Sequence, residues 1–399
     1  MASRKKVDVA LDGSADDDFS ADLIDALNKE FQDRVAYNLS NTDSPTHVKR
    51  WISTGSVLLD YAIANRRNGG VPSGRIIEIF GDPSTGKSHI AFAIASTIQK
   101  LGGLVVYIDT ENATPVEKLA NMGIDVSKRF VYCDTHCTEE VFKITESTIK
   151  KAAGLVAKKK EDAPPILVVW DSVAATSPKQ ELEGDYDDNT VGLQARVISK
   201  AMRKITGIIG QNNVTFLCLN QVRMKIGVSF GDPTVTPGGK AIPFHASVRI
   251  GLTGGSAVKD KDGNVIGIRT YATIKKNKVA PPHKRVEFDI LFGQGIFEVD
   301  TICDMLSDAT KKSPIERDGK KYQIQTSGAW KTLTVHTVED GEIVCDKKFQ
   351  KAHFEEMMSS EEYGPVIMDM IDSVMVVNTA GKLPPPPDGD DDDGYEEAA

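Results

Sequence analysis

GRIIEIFGDPSTGKS, residues 74–88, decides the reading. Ile76, Ile77, Ile79 and Phe80 form a short apolar run of strand type, and GDPSTGKS follows it at once. Gly81, Gly86, Lys87 and Ser88 fit the spacing G-x-x-x-x-G-K-[ST]. The chemistry explains the spacing. Asp82, Pro83, Ser84 and Thr85 complete a turn whose backbone N–H groups converge on phosphate oxygens. The glycines let the backbone come close, and the next helix points its positive end at the anion. Lys87 reaches the terminal phosphates and the Ser88 hydroxyl ligates Mg²⁺, so the stretch predicts an ATP and magnesium site.

On either side, short β-branched runs alternate with helical stretches. IIEIF, VVYID, FVYCD, ILVVWD and TFLCLNQ read as strands. Helices are expected at 88–101, 114–122, 138–160 and 193–207. That alternation predicts an α/β fold with a mostly parallel sheet wrapped on both faces. From Val235 the pattern turns to hairpins, with Asp262-Gly263 as a tight turn. Asp171 ends a strand expected beside the phosphate-turn strand, where it helps hold Mg²⁺. Asp109 and Glu111 end another strand on the same sheet edge. Either can orient the attacking water, and spacing alone does not choose.

The chain has 399 residues with 40% hydrophobic, enough for two to three domains. No apolar run is long enough to cross a membrane. The N-terminus has no apolar core behind its basic cluster, which argues against a targeting peptide and for the cytoplasm. Five cysteines at irregular spacing fit a reducing compartment. Cys133 and Cys137 lack the second ligand pair that a structural zinc needs. Net charge is −9, but Asp388 to Ala399 hold seven acids, which leaves −2 for the rest and excludes no nucleic-acid partner.

The expected organisation is a disordered stretch 1–18, a helix and linker 19–49, a core 50–298, a small α+β domain 299–378 and an acidic tail 379–399. In the second segment Leu23, Leu27, Phe31 and Val35 recur every four residues behind Ser20, a candidate N-cap. This predicts an amphipathic helix over 20–38 that folds back on its own core or docks on another copy. Lys158, Lys159 and Lys160 read as a solvated face. The segment 223–240 carries Arg223, Lys225 and Lys240, four glycines (Gly227, Gly231, Gly238, Gly239), and the apolar Ile226 and Phe230. It reads as a DNA-gripping loop or as a lid with scattered charge.

Seven stretches carry a resemblance to the RecA family of recombinases, bacterial or viral. They are ISTGSVLLD (52–60), GRIIEIFGDPSTGKS (74–88), IDTENA (108–113), WDSVAATSPKQELEG (170–184), VGLQARVISKAMRK (191–204), LNQVRMKIGVSFGDPTVTPGGKAI (219–242) and IKKNKVAPP (274–282). The similarity runs from about residue 50 to 300. It implies a RecA-like nucleotide-binding core and an ATP-driven recombinase of DNA repair. Such a protein forms a helical filament on single-stranded DNA, pairs it with a homologous duplex and hydrolyses ATP when DNA is bound. By the resemblance Glu111 is the base, Gln221 senses the γ phosphate, and Lys276 and Lys278 reach the neighbouring copy's ATP. Loops near 181–196 and 223–240 hold DNA, with contacts from Arg196, Ser199, Arg203, Arg223, Met224, Lys225, Ile226, Phe230, Gly238 and Gly239. The helix near residue 20 then packs on the next copy, and the acidic tail competes with DNA for the basic loops. Three positions depart from the family pattern. Lys118 stands where a tyrosine stacks on adenine, Val191 replaces a methionine, and Pro243 replaces a lysine. The phosphate turn also suits a ring-forming helicase, a non-catalytic DNA-coating protein or a small-molecule kinase. The first two are the alternatives kept.

Overall fold

The computed structural model describes residues 19–32, 34–39, 44, 46–159, 163–185, 187–224 and 234–377. Two compact units divide at Lys49 and Arg50. The first holds helix α1 (Phe19–Phe31), which has no buried residue. It is shorter than its pattern predicts. Gln32 adopts φ 50°, and Asn28 Oδ1 accepts from the amides of Val35 and Ala36, both at 2.8 Å. A side chain that bonds the backbone this way competes with helix hydrogen bonding, so Val35 leaves the apolar stripe. Ser20 is the helix's second residue rather than its N-cap.

The second unit opens with β1 (Trp51–Ile52), α2 (Val57–Ala64) and β2 (Val71–Pro72), a small hairpin around a helix. The core follows as β3 (Ile76–Gly81), α3 (Lys87–Lys100), β4 (Leu104–Asp109), α4 (Val116–Asn121), β5 (Phe130–Asp134), α5 (Thr138–Lys159) and β6 (Ile166–Asp171). Then come α6 (Lys179–Glu183), α7 (Leu193–Ile209), β7 (Val214–Gln221), β8 (Arg223–Met224), β9 (Thr234–Val235) and α8 (Ala241–His245). Hairpin strands β10 (Val248–Lys259), β11 (Val265–Asn277), β12 (Arg285–Leu291) and β13 (Gly295–Phe297) complete a nine-stranded sheet. Its order is β13-β12-β11-β10-β3-β7-β6-β4-β5, parallel from β10 to β5 and antiparallel across the other pairs. The β10–β11 turn is the expected one: Gly263 takes φ 87° and Asp260 Oδ1 accepts from the amides of Asp262 and Asn264.

The period-two rule of strands sorts the core. Leu167 and Val169 of β6 pack with α2 and α3, whereas Ile166, Val168 and Trp170 pack with α5 and α7. The two layers explain why ILVVW is apolar throughout. One expectation fails. β6 is not hydrogen-bonded to β3, because β7 lies between them. Asp171 therefore sits two strands from the phosphate turn, and Gln221 occupies the place between, in register with Gly81.

Beyond β13, α9 (Val299–Thr310) packs on a four-stranded antiparallel sheet of β14 (Ile315–Arg317), β15 (Lys320–Ser327), β16 (Trp330–Thr337) and β17 (Ile343–Gln350). Helices α10 (Phe354–Ser359) and α11 (Gly364–Met375) close this small α+β domain. Asp372 of α11 accepts a short hydrogen bond from Tyr61 of α2 and pairs with Arg67 at 2.7 Å, which ties the domain to the core, and it pairs with Arg317 of its own domain at 3.2 Å.

Candidate nucleotide and DNA site

The parallel strands end together at Gly81, Gln221, Asp171 and Asp109. Position parity aims the side chains. Asp171 shares the face of Leu167 and Val169, the face covered by α3, so it meets Ser88 on the first turn of that helix. Ser88 Oγ donates to Asp171 Oδ2 at 3.0 Å, and the Tyr107 hydroxyl donates to the same oxygen in a short bond. Burial pushes the Asp171 carboxyl above the usual carboxylate range, and these two donors oppose the shift. Burial also raises Tyr107 well above an ordinary phenol, helped by the Asp171 charge. The opposite sign applies to Lys87. Burial lowers its ammonium, while Asp171, Glu111 and Asp82 act against that.

The phosphate turn is built but closed on itself. Lys87 Nζ donates to the carbonyls of Gly81 at 2.9 Å and Asp82 at 2.7 Å. Thr85 Oγ1 donates to Asp82 O at 2.8 Å, and Thr270 Oγ1 holds Thr85 O at 3.2 Å. Asp82, Pro83 and Ser84 are exposed at the tip. A cavity of about 700 Å³ opens beside the turn. Ser84, Gly86, Lys87 and Ser88 form one wall, and Pro115, Lys118 and Asn121 another. Ile268, Ile290 and Phe292 form a third. Lys118 lies with its Nζ 5.5 Å from the centre of the Phe92 ring. His89 also lines the cavity, and burial together with Lys118 holds its pKa down at about 4.

Geometry separates the two acids that spacing left open. Asp109 is buried, with Oδ1 accepting from the Glu111 amide at 3.0 Å and Oδ2 from the Tyr132 hydroxyl at 3.2 Å. Glu111 is exposed at the mouth of the site. Its Oε1 accepts from Ser172 Oγ at 2.5 Å and Gln221 Nε2 at 3.3 Å. Asp109 thus serves the turn that carries Glu111. Tyr107, Ser172 and His89 were missed as site residues. A tyrosine inside an apolar strand needs a partner for its hydroxyl, a signal that could have marked Tyr107.

Lys276 and Lys278 do not join the phosphate turn of their own chain. Lys276 is paired in register with Arg249, three residues before the Leu252 that pairs with Gly81. That spacing is about 10 Å along the strand. Lys276 Nζ donates to the carbonyls of Pro243 at 2.7 Å and Phe244 at 2.8 Å. The Lys278 amide donates to Ser247 O.

The DNA candidates divide. Arg196, Ser199 and Arg203 share one face of α7 and, with Lys240, line an open groove of about 380 Å³. Arg203 Nη1 donates to Ser199 Oγ at 2.9 Å. Glu181 lies in α6 and Arg196 in α7, so both ends of the first expected loop are helical. Arg223 and Met224 form β8, exposed and paired with β9. Gly238 and Gly239 are not free hinges. Gly238 is buried at φ 86°, where a Cβ would come within 2.9 Å of Ile198, and Gly239 abuts Ala195. Residues 1–18, Lys160, Lys225, Ile226, Gly227, Phe230, Gly231 and the tail lie outside the described residues, as do the side chains of Lys158 and Lys159.

The family model of the RecA N-terminal domain matches residues 20–297. The chain belongs to the RecA family. The match begins some thirty residues earlier than the motifs alone did and takes in α1. The chain is 40% identical over 293 residues to the protein named RecA of Citrifermentans bemidjiense, covering 73% of this chain and 81% of that one. It is 40% identical to the RecA of Paracoccus denitrificans (70% and 73% covered). With the RecA of Geobacter metallireducens it shares 38% over 311 residues (78% and 83% covered). RecA membership makes this an ATP-dependent recombinase, a DNA-dependent ATPase. Among the described residues no helix is long and apolar enough to cross a membrane.

Proposed function

We propose that copies of the chain polymerise as a helical filament on single-stranded DNA, pair that strand with a homologous duplex and exchange strands. ATP bound between neighbouring copies is the switch. Gly81 to Ser88 cradle the phosphates, and Lys87 leaves the carbonyls of Gly81 and Asp82 to meet the terminal ones. The Ser88 hydroxyl and the Asp171 carboxylate, 3.0 Å apart, are the hard oxygen donors that Mg²⁺ takes. Bound there, the ion supplies charge neutralisation at the terminal phosphates. Glu111, oriented by Ser172, takes the proton of the attacking water. Gln221 reads the γ phosphate. Lys276 and Lys278 serve the ATP of the neighbouring copy.

DNA is held by Arg196, Ser199 and Arg203 and by Arg223, Met224, Lys225, Ile226, Phe230, Gly238, Gly239 and Lys240. Contacts of this kind bind backbone without reading sequence. Residues 19–49 carry the subunit contact, 50–298 the ATPase core, 299–378 the C-terminal domain and 379–399 an acidic tail. Five unpaired cysteines support action in a cytoplasm, the host's if the source is viral.

The contact between Glu111 and Gln221 carries the reading. It joins the water-activating acid to the strand that runs directly into the 223–240 segment. The test is ATP turnover with and without single-stranded DNA in the parent, Lys87→Ala, Glu111→Gln and Lys276→Ala. Each variant should lose DNA-stimulated turnover. Mixing Lys87→Ala with Lys276→Ala should restore part of it, since some junctions then combine an intact turn with an intact lysine. No recovery on mixing refutes the shared site.

A further inference from the structure

The nucleotide chemistry uses one face of the sheet. The opposite face, under α7 and α8, holds a buried charge that none of it needs. Glu78 of β3 is fully buried. Its Oε2 accepts from Arg249 Nε at 2.5 Å, and its Oε1 accepts from Asn220 Nδ2 at 3.0 Å. Both Nδ2 hydrogens of Asn220 are used. Nδ2 also donates to Pro237 O at 3.1 Å, and Oδ1 accepts from the Gln221 amide at 3.0 Å. Arg249 stacks on the Phe80 ring, 4.6 Å from its centre. A buried ion pair is poor value for stability against apolar residues of equal volume, so its presence asks for another role.

Its position suggests one. Asn220 and Gln221 are consecutive on a strand and point to opposite faces. Gln221 meets Glu111 on the nucleotide face, and Asn220 meets Glu78 on the other. Pro237 opens the turn whose Gly238 packs on α7, the helix of the candidate DNA groove. At the far end, a bulge between Arg249 and Ile250 shifts the β10–β11 register and sets Lys276 opposite Arg249. The Arg249 and Glu78 charges both act on the Lys276 ammonium, with opposite signs.

We propose that Glu78, Asn220 and Arg249 form a buried polar relay that couples the strand end carrying Gln221 to the Pro237 turn and to the Lys276 strand. They are positioning residues and touch no substrate. Through them, nucleotide occupancy on one face sets the DNA-holding turn on the other and the lysines offered to the next copy. The proposal rests on the shared-site reading above, and coupling evidence is what it requires.

The test uses the full-length chain carrying Asn220→Ser, which removes the donors to Glu78 and Pro237, and separately Arg249→Lys, which keeps the charge but loses the Nε geometry. Each is compared with Lys276→Ala. Affinity of the DNA-free variants for a fluorescent ATP analogue should stay within about twofold of the parent. Stimulation by single-stranded DNA should fall about fivefold or more, and cooperativity in ATP should drop toward unity. Retained stimulation and cooperativity in a folded variant overturn the relay. So does a loss of nucleotide affinity in step with stimulation. If Lys276→Ala alone keeps full stimulation, the shared-site reading fails. If it loses stimulation while Asn220→Ser keeps it, only the relay fails.

Discussion

Replacing Gly86 with alanine asks whether the phosphate turn and the β11–β12 hairpin are one packed unit. Gly86 precedes α3 at φ 96° and ψ 12°, where an L side chain costs about 1–2 kcal/mol. A Cβ there would lie 2.1 Å from Cδ1 of Ile290, which is buried on β12. Ordinary contact begins at 3.4 Å, so that methyl must retreat by about 1.3 Å. Overpacking of this kind costs about 1–3 kcal/mol, which brings the expected loss to about 2–5 kcal/mol. Ile290→Val deletes the offending methyl at about 0.5–1.5 kcal/mol on its own. The double variant should therefore be more stable than the summed single effects predict by about 1–3 kcal/mol, with the backbone cost and the Ile290→Val cost remaining. Urea unfolding of the four proteins measures this. Because Gly86 and Ile290 line the same cavity, affinity for an ATP analogue should fall in Gly86→Ala and recover in part in the double variant. Additivity within about 0.5 kcal/mol would refute the packing argument.

Three other outcomes are expected. Glu298 caps α2 by accepting from Ser56 Oγ at 2.5 Å and from the amides of Val57 and Leu58, yet burial raises it from 4.5 to about 7, with buried Asp60 adding to the rise. A folded pKa above the unfolded one gives stability that is full below about pH 4.5 and lost as pH climbs through about 7. At 1.36 kcal/mol per unit this amounts to about 3 kcal/mol. Glu298→Gln should flatten that slope in urea midpoints taken from pH 5 to 8, and an unchanged slope refutes it. Tyr107→Phe removes a donor that lowers Asp171, so the acid limb of the ATPase pH profile should move to higher pH, whereas a shift to lower pH contradicts the contact. Lys118→Tyr restores a ring beside Phe92 at the cavity wall and should tighten adenine nucleotides over other bases in competition binding; no change in preference places the base elsewhere.

Most of the core was legible because its signals are local. ILVVWD is apolar on both faces, so it had to be a central strand, and the glycine spacing fixed the turn after β3. What stayed hidden depends on contacts distant in sequence. Strand order follows from crossovers, so nothing near Asp171 announced that β7 would stand between it and the phosphate turn. The third wall of the cavity comes from Ile268, Ile290 and Phe292, about 200 residues beyond the turn. The end of α1 was misread because the four-residue stripe continues to Val35 while the Asn28 side chain captures the chain first. Glycines 238 and 239 invited a reading of flexibility, but glycine also serves close packing at positive φ, and composition cannot tell the two apart.

The lysines of β11 show why one copy of the chain is an incomplete machine under the proposed reading. A cation that neutralises charge on a transferring phosphoryl group must sit within contact distance of it. Lys276 is tethered to the end of α8, about 10 Å along the strands from its own turn, and the ladder β3–β10–β11 is rigid enough to forbid the swing. Moving it would break two hydrogen bonds to main-chain carbonyls. The lysine is instead half-buried and held in place on its own chain, and under the proposed reading another copy brings the phosphate to it. A site divided in this way is active only where copies meet. Turnover should then rise faster than linearly with protein concentration, and DNA, by lining copies up, should remove that dependence. A rate per chain that stays constant on dilution without DNA would place all catalytic groups within one copy and end the case for a shared site.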